Sequence, residues 1–493
     1  MIVILKHINN YKIELLILSI VVLYIIFPTN NSTLDAYGYA TSIKYDVDLF
    51  EPHHLLYNAF QYIISKILLS LGLNFDVLSM TKVVNSIFQF FNLYISYQIF
   101  KLFKTDKSEI ILYILIIGFS YSSIRFGTEN ENYIIPITFS LLASYFYLRF
   151  IKTESVRMIF YSGLFASIAS LFHQIHFFWW FGIFIGVVLY IKKWRFVFYY
   201  IISAIIVPII YLAVIYFYKN EAININNIFH FVFHDYYTGT AKSEFGINNF
   251  IFIIISSVRT FFQVHPVIFS LIKENYFFIL PILILPILLF ILIKLLFKKR
   301  LFLTTTTTTI FVKSHIIIFI IHFLFSFYAV GNVEFMVMLP FLMFISIFKY
   351  YKINKLFLKV FTVSLLIWNF SYGLLANNMF KFYNDNILID FIISHPNDVF
   401  FVSEHTVINK YSYKTGNIDV KYIKRKKTIN SIKALKKINS REYFYTDIIN
   451  KPQILNRASM LNTNKINFLN NKKELIKTYK GLYGKSYIYK VYY

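Results

Sequence analysis

The sequence predicts an all-α polytopic membrane domain followed by a small α/β domain. First, 57% of the 493 residues are hydrophobic and the mean hydropathy is +0.58, well above the values of soluble proteins. Second, apolar runs of about 18 or more residues recur, long enough to cross the roughly 30 Å hydrocarbon core. Third, the composition turns polar and lysine-rich near the end. We therefore predict a membrane domain over 1–376 and a C-terminal domain over 377–493.

The charge balance limits the function classes. The chain has 49 Lys and Arg against 24 Asp and Glu, a net charge of +25. Cytoplasmic loops of membrane proteins are rich in Lys and Arg, so this charge does not indicate a nucleic-acid partner. The chain has no cysteine, which excludes disulfides, thiolate metal sites and cysteine nucleophiles. It has neither a phosphate-binding loop nor a Gly-rich dinucleotide turn, which disfavours ATP-driven transport.

The first apolar segment, 13–27, is predicted to be a retained helix with its N-terminus in the cytoplasm, because no small-residue cleavage site follows it. The first outer loop is then 29–78. Within it, 55–72 is either a span or an interfacial helix, and its polar interruptions favour the interfacial helix.

Loop charges predict the sides on which the later helices end. Residues 219–258 are expected to form a polar outer loop and 260–275 a re-entrant or interfacial segment, and Thr304–Thr309 is a low-complexity connector. About eleven spans are predicted in total, which puts the C-terminal domain outside the cytoplasm, on the far side of the cell or inner membrane. The spans after the first are predicted near 79–100, 109–124, 134–148, 158–191 (two helices), 196–217, 277–297, 314–329, 335–348 and 358–376.

The C-terminal domain is predicted to mix strands and helices. Strand-like segments occur at 399–403, 442–446 and 486–492, with helix-like stretches between them. The domain has 21 Lys and Arg against 8 Asp and Glu, a net charge of +13. This charge suits an anionic partner such as phospholipid, lipid-linked phosphate or anionic glycan, and it equally suits a solvated basic surface.

Acidic residues and histidines are scarce in this chain, and they concentrate in the first outer loop. The stretch 33–57 holds six of them. A second acidic group follows in the short outer loop 125–133, and His173 and His176 lie near the outer end of a later helix. A functional site is therefore predicted at the outer face. The six residues of the stretch 33–57 are Asp35, Asp46, Asp48, Glu51, His53 and His54.

This arrangement resembles the GT-C superfamily of membrane glycosyltransferases, which includes protein O-mannosyltransferases and the lipid A aminoarabinose transferase. An acidic residue, Asp35, follows the first span, the segment 52–57 opens an interfacial helix, and a second acidic site lies in the next outer loop. The resemblance covers residues 10–376. It implies transfer of a sugar from a polyprenyl-phosphate carrier to an acceptor hydroxyl on a lipid, glycan or protein, at the outer face of the membrane. It also implies that the first acidic residue is a base or a metal ligand.

The residues themselves suggest roles beside those that the resemblance implies. A carboxylate near an apolar surface can act as a base, so Asp35 is predicted to be catalytic, with helix capping as the alternative. Glu129 and Glu131 are predicted to complete the catalytic site, or to lie in a solvated loop. Asp46 and Asp48 form an Asp-x-Asp pair that would hold a divalent metal, or they are ordinary loop residues. The sequence identifies no other cofactor.

A second set of residues is predicted to bind the substrate and its phosphate. His53, His54 and Tyr57 lie at the start of a helix, where imidazolium and backbone N–H groups bind phosphate. Arg125 and Arg259 near the outer face can bind phosphate bidentately. The alternative for the histidines at 53 and 54 is that they are ordinary interfacial residues. His173 and His176, which are three residues apart, belong to the same predicted set, and their alternatives are a metal-binding pair or polar lining of the cavity. Glu334 lies at membrane depth, where carboxylates are typically functional or paired with a cation.

Two other function classes compete with this assignment. A polysaccharide polymerase or ligase would depend on basic and histidine residues of the central outer loop, such as Arg259 and His234. A lipid or glycan flippase would have charged residues deep within several helices. Here the polar groups collect at the outer ends, which favours chemistry at one face.

Overall fold

The computed structural model describes residues 11–237, 245–264, 268–297, 302–304, 309–347, 351–418, 422–425, 441–452 and 471–493. The chain divides into two compact units. The first, called the membrane unit below, comprises Met1–Pro28, Asp48–Val264 and Leu280–Leu374. The second, called the C-terminal unit, comprises Thr29–Val47, His265–Ile279 and Leu375–Tyr493.

The described residues are mostly helical, and short 3-10 or π turns extend several helices. In chain order the α-helices are α1 (Lys12–Ile26), α2 (Leu34–Tyr45), α3 (Tyr57–Ser70), α4 (Val77–Leu102), α5 (Lys107–Phe119), α6 (Tyr121–Gly127), α7 (Ile134–Thr153), α8 (Val156–Phe172), α9 (Phe177–Gly186), α10 (Trp194–Ile202), α11 (Ile206–Ala213), α12 (Ile225–Val232), α13 (His234–Tyr237), α14 (Ile247–Phe261), α15 (Ile268–Glu274), α16 (Leu280–Leu296), α17 (Ile310–Tyr328), α18 (Leu339–Ile345), α19 (Lys355–Trp368), α20 (Ala376–Met379), α21 (Asn386–Ser394) and α22 (His405–Thr415).

The prediction of a polytopic membrane protein is confirmed. Within the described residues, six helices are long and apolar enough to cross a membrane, and α5 with α6, bent by 56° at Ser120, would make a seventh. Three other apolar helices, including α8 and α14, have 10–17 residues. At 1.5 Å per residue such helices measure at most about 26 Å, which is less than the roughly 30 Å hydrocarbon core. Helix α4, on the predicted span 79–100, has 26 residues and is not among the six either. The six spans are Ile134–Thr153, Gln174–Ile191, Trp194–Tyr218, Tyr276–Leu296, Ile310–Tyr328 and Lys355–Met379.

Two sequence predictions differ from the structure in detail. The interval 219–258, predicted to be a polar loop, contains α12 and most of the apolar helix α14. The threonine run is not a uniform connector: Thr304 ends a short strand, and the Thr309 hydroxyl caps α17 by accepting a hydrogen bond from the N–H of Val312 at 3.3 Å. Residues 305–308 lie outside the described part of the chain.

Helix α4 has an unusual buried face. Its polar side chains recur every three or four residues, so they share one face, and that face is buried. Several of them form hydrogen bonds: Asn92 donates to the carbonyl of Ile134 at 3.1 Å, and Thr138 donates to Asn92 at 2.6 Å. This polar stripe, as it is called below, packs against α7 and comprises Lys82, Asn85, Ser86, Gln89, Asn92 and Ser96.

The C-terminal unit contains a five-stranded mixed sheet, as the sequence predicts. Strand β3 pairs in parallel with β4 and β5, β5 pairs antiparallel with β7, and β7 pairs antiparallel with the edge strand β6. The three predicted strand segments correspond to β3, β5 and β7. A separate antiparallel pair, β1 with β2, belongs to the membrane unit. The strands are β1 (Phe302–Thr304), β2 (Tyr351–Ile353), β3 (Phe400–Val402), β4 (Ile423–Arg425), β5 (Tyr443–Thr446), β6 (Lys473–Gly481) and β7 (Gly484–Tyr492).

Helix α2, early in the chain, packs within the C-terminal unit. Asn409 of α22 donates to the carbonyl of Leu34 at 3.0 Å. At the other end of α2, the Tyr45 hydroxyl and the Lys44 ammonium both donate to the carbonyl of Tyr413, at 3.1 and 3.2 Å. The helix that carries Asp35 is therefore fixed by residues about 370 positions later.

Candidate active site

The site is centred on a loop that is entirely buried. Residues 128–133 connect α6 to α7, and their sequence is Thr-Glu-Asn-Glu-Asn-Tyr. Glu129 is completely inaccessible to solvent and Glu131 is 2% exposed. The alternative of a solvated loop therefore does not hold. Two carboxylates inside a protein require charged or hydrogen-bonding partners, since desolvation of an unpaired charge costs far more than the fold can supply.

Glu129 receives two cations. Nη1 of Arg125 lies 3.2 Å from Oε2 of Glu129, and Nζ of Lys82 lies 3.7 Å from Oε1. The backbone N–H of Asn130 donates to Oε1 at 2.9 Å. Arg125 and Glu129 are four residues apart, the spacing at which side chains of one helical face meet. One carboxylate thus holds an arginine and a lysine on either side of it.

Two polar side chains fix the loop. Asn85, in the polar stripe of α4, donates from Nδ2 to the carbonyls of Glu129 and Glu131, at 2.6 and 2.8 Å. The hydroxyl of Tyr57 at the start of α3 donates to Oδ1 of Asn130 at 2.8 Å. These contacts set the direction of both glutamate residues. Tyr57, predicted to bind substrate, therefore holds the acidic loop.

The histidines lie on the elements beside Tyr57. The rings of His53 and His54 are 4.2 Å apart, and the ring of His54 is 6.5 Å from that of Tyr57. Burial lowers the pKa of His54, and His53 and His173 lower it further. His54 is therefore a neutral imidazole near pH 7, and a phosphate would meet a hydrogen-bonding group there instead of a cation.

The chain around Pro52 is joined to the first residues of the span that begins at Gln174. Nε2 of Gln174 and the hydroxyl of Tyr211 both donate to the carbonyl of Pro52, at 3.0 and 2.6 Å. His173 in turn lies against the acidic loop, with its ring 5.0 Å from that of Tyr133. The structure thus brings His53, His54 and His173 to the same region as Glu129.

Glu334 contacts the loop 128–133 through Tyr133. The Tyr133 hydroxyl donates to its Oε2 at 3.2 Å, and Asn332 donates to the same oxygen at 3.1 Å. Helix α14, which carries Arg259, packs against both α6 and the turn Val333–Met336. Nε of Arg259 is buried and has no hydrogen-bond partner among the described residues. Arg259 is therefore a cation with an unused buried donor, and an anion beside it would supply the missing acceptor.

His176 points away from this loop into the helix bundle. Its Nδ1 lies 2.7 Å from the hydroxyl of Ser140, and its ring is 6.2 Å from that of His322 in α17. His173 and His176, predicted to share one face, therefore have different surroundings. The break at Gln174–His176, a 3-10 turn between α8 and α9, explains the difference.

Asp35, Asp46 and Asp48 occupy different positions relative to helix α2. Asp35 lies in the first turn of α2 and is exposed, while the cap itself is Thr33, whose hydroxyl accepts from the N–H of Ala36 at 3.0 Å. The capping alternative for Asp35 is therefore wrong. Asp46 ends α2 with φ 58°, and Asp48 has φ 46°.

The metal role of Asp46 and Asp48 stays a prediction. Within the described part of the chain, no group of three or more His, Asp or Glu residues is arranged to hold a metal ion. The pair would therefore need water or substrate oxygens to complete a coordination shell.

Sequence reasoning missed the residues that support the loop. The sequence predictions assign no role to four of these residues, Lys82, Asn85, Asn130 and Asn332. A usable signal exists in α4, because polar residues spaced by three and four in a membrane protein mark a face turned toward protein.

Comparisons with known proteins give one type of match. No protein-family model matches the chain, and no curated protein sequence matches it. Among solved structures, the chain is similar to the crystal structure of ArnT from Cupriavidus metallidurans bound to undecaprenyl phosphate, with a TM-score of 0.42 and 9% identity over 97% of this chain and 98% of that one. This similarity assigns no role to any single residue.

Proposed function

We propose that this protein is a membrane glycosyltransferase that moves a sugar from a polyprenyl-phosphate donor to an acceptor hydroxyl. The observation that carries the proposal is the buried loop 128–133, where Glu129 holds Arg125 and Lys82 beside a second carboxylate and three histidines. Glycosyl transfer from a lipid phosphate needs cations for the leaving phosphate and carboxylates for hydroxyl groups. The loop supplies both.

The arginines are proposed to bind the donor phosphate. When the bond between the sugar and the phosphate oxygen breaks, negative charge develops on the phosphate, and a guanidinium stabilises it through two parallel hydrogen bonds. Arg125 is fixed by Glu129, and Arg259 has a buried Nε that needs an acceptor. Their helices, α6 and α14, pack against each other. His53 and the neutral imidazole of His54 would add hydrogen bonds to the same phosphate.

Asp35 is proposed as the base. The acceptor oxygen bonds to the anomeric carbon while its proton passes to a carboxylate. Asp35 is exposed and is not the cap of its helix, so an acceptor can reach it. Glu131 is proposed to bind sugar hydroxyls, and Glu129 to hold the cations. The reaction is assigned to the extracytoplasmic face because the positive-inside pattern places 125–133 there.

A radiolabelled polyprenyl-phosphate sugar added to membranes tests the base. Wild type and Asp35→Asn would be compared with Asp390→Asn, a matched control, since Asp390 is an exposed carboxylate of the same unit paired with Lys414 at 2.8 Å. We expect label to reach an acceptor with wild type and Asp390→Asn and not with Asp35→Asn. The labelled fraction, lipid, glycan or protein, identifies the acceptor class. Full transfer by Asp35→Asn with normal membrane insertion would overturn the assignment of the base.

The phosphate assignment needs a separate measurement. Arg259→Gln should raise the donor concentration for half-maximal transfer by about tenfold or more, which corresponds to the loss of one charge-assisted hydrogen bond. Lys193→Gln is the control, because Lys193 forms an exposed ion pair with Glu154 at 2.5 Å. An unchanged donor dependence in Arg259→Gln would show that another group binds the phosphate.

A further inference from the structure

The hairpin of β6 and β7 has a surface that the proposed function does not use. Strand β6 is the edge of the sheet, so one side of its backbone pairs with no other strand among the described residues. Its side chains from Lys473 to Thr478 are exposed, among them Leu475 and Ile476, which are 51% and 38% exposed. An edge strand with exposed aliphatic residues would normally be prone to aggregation.

A β-bulge lies within this exposed stretch. The register of β6 against β7 shifts between Leu475 and Lys477, so Ile476 is the additional residue. In a regular strand neighbouring side chains point to opposite faces, and a bulge breaks this alternation. Leu475 and Ile476 are adjacent and both exposed, and they form one apolar pair at the edge.

Lysines flank the apolar pair. Residues 471–493 include six lysines and one acidic residue, a net charge of +5. Lys480 is paired with Glu274 at 2.6 Å, and Nζ of Lys490 lies 4.0 Å from the centre of the Tyr443 ring. Across the described residues, neither Lys473 nor Lys477 has a carboxylate within ion-pair distance. Two exposed cations thus lie on either side of Leu475 and Ile476, with the exposed carboxylate of Glu474 between Lys473 and Leu475.

We propose that this edge, residues 472–480, binds the anionic phospholipid headgroups of the bilayer. Aliphatic side chains that enter the interface, together with lysines that meet lipid phosphates, are the combination that holds peripheral segments on acidic membranes. Lysines also protect edge strands from pairing, but that role would not leave two aliphatic residues exposed between them.

Connectivity favours a lipid over a soluble partner. The spans Tyr276–Leu296 and Lys355–Met379 run directly into the C-terminal unit. The unit is therefore tethered to the bilayer at both places, and the tether raises the effective concentration of lipid at its surface. Weak individual contacts are sufficient under such conditions.

Single-cysteine labelling tests the proposal, since the chain has no cysteine of its own. Ile476→Cys would carry an environment-sensitive fluorophore in the full-length protein in nanodiscs. Ile418→Cys is the matched control, because Ile418 is a 47% exposed aliphatic residue of the same unit. A nitroxide on the lipid headgroup should quench the label at 476 at least about twofold more than at 418 when phosphatidylglycerol is present. High salt should remove the difference.

Charge reversal separates the possible outcomes. The double change Lys473→Glu with Lys477→Glu should reduce quenching at 476 to the level at 418. Equal quenching at the two positions in the unaltered background would overturn the proposal. Quenching in phosphatidylcholine alone, without dependence on the acidic lipid, would also overturn it, and a label shielded in lipid-free detergent would show that protein covers the edge. None of these readouts depends on transferase activity.

Discussion

Arg125 and Glu129 are four residues apart in the chain, and their side chains meet inside the protein, with Nη1 of the arginine 3.2 Å from Oε2 of the glutamate. The glutamate side chain is fully buried, whereas the arginine side chain keeps 19% of its surface exposed. The Glu129 carboxylate is therefore closed off from solvent, whereas part of the Arg125 side chain stays accessible. A ligand that approaches the loop can contact the arginine without first breaking the pair.

We expect Glu129→Gln to destabilise the membrane unit by about 3–5 kcal/mol, because Arg125 and Lys82 would be left without their shared anion. The free energy of unfolding in mixed detergent and denaturant measures this. Adding Lys82→Met to Glu129→Gln should recover part of the loss by removing one uncompensated cation. If the single variant unfolds like wild type, the buried ion cluster is not a stabilising feature.

Asn85→Ala should free the carbonyls of Glu129 and Glu131 together. We expect a loss of about 1–3 kcal/mol in unfolding free energy from the unsatisfied carbonyls, and a larger proportional loss of transfer activity than of stability. Asn92→Ala is the matched control, since Asn92 lies two turns further along the same face of α4 and donates to the carbonyl of Ile134. Equal activity losses in the two variants would assign Asn85 a structural role only.

His322 and His315 lie on the same helix, and their substitution by leucine should change the unfolding free energy in opposite directions. Both ring nitrogens of His322 are buried without a hydrogen bond to any described residue, whereas His315 is bonded to Ser144 and to the carbonyl of Phe311, each at 2.7 Å. His322→Leu should therefore raise the unfolding free energy by about 1–3 kcal/mol, and His315→Leu should lower it by a similar amount. Destabilisation by His322→Leu would indicate that a polar group occupies the space beside it.

Stability of the C-terminal unit should rise with pH between about 8 and 10.5. Burial lowers the pKa of Lys410 to about 8, from an ordinary value of 10.5, so the folded unit releases this proton earlier than the unfolded chain does. The unfolding free energy should increase across that window by at most about 3 kcal/mol.

The matching variant is Lys410→Met, which should be more stable than wild type at pH 7 and should lose the pH dependence. The urea midpoint of thiol labelling at Val407→Cys, a buried position of the same helix, reports unfolding of this unit alone. A wild-type midpoint that does not change between pH 7 and 10 would contradict the lowered pKa.

The sequence was sufficient for those parts of the fold that depend on local composition. Strands β3, β5 and β7 were predicted because β-branched and aromatic residues cluster there, and the long apolar helices follow directly from the bilayer thickness. The acidic loop was also predicted, because Glu129 and Glu131 are conspicuous in a chain with few acids. Its burial was not, since a loop's solvation depends on what packs over it.

The remaining features depend on contacts between distant residues. Nothing in residues 29–47 indicates that α2 packs on α22, because both helices have weak amphipathic patterns and their partners lie about 370 positions apart. The support of the acidic loop by Asn85 was missed for a different reason. The segment 79–100 is predicted only as a membrane span, although the spacing of its polar residues marks a buried polar face.

The assembly of the C-terminal unit from separate stretches of chain has a consequence for biosynthesis. Helix α2 leaves the ribosome early, but its partner α22 begins at His405, so at 5–20 residues per second α2 waits on the order of tens of seconds. During this interval the segment carrying Asp35 has no folded surface to cover it. Truncation anywhere before His405 would therefore affect residues near the start of the protein as strongly as those near its end. Nascent chains stalled before and after α22 should differ in how readily a protease cuts near Tyr45.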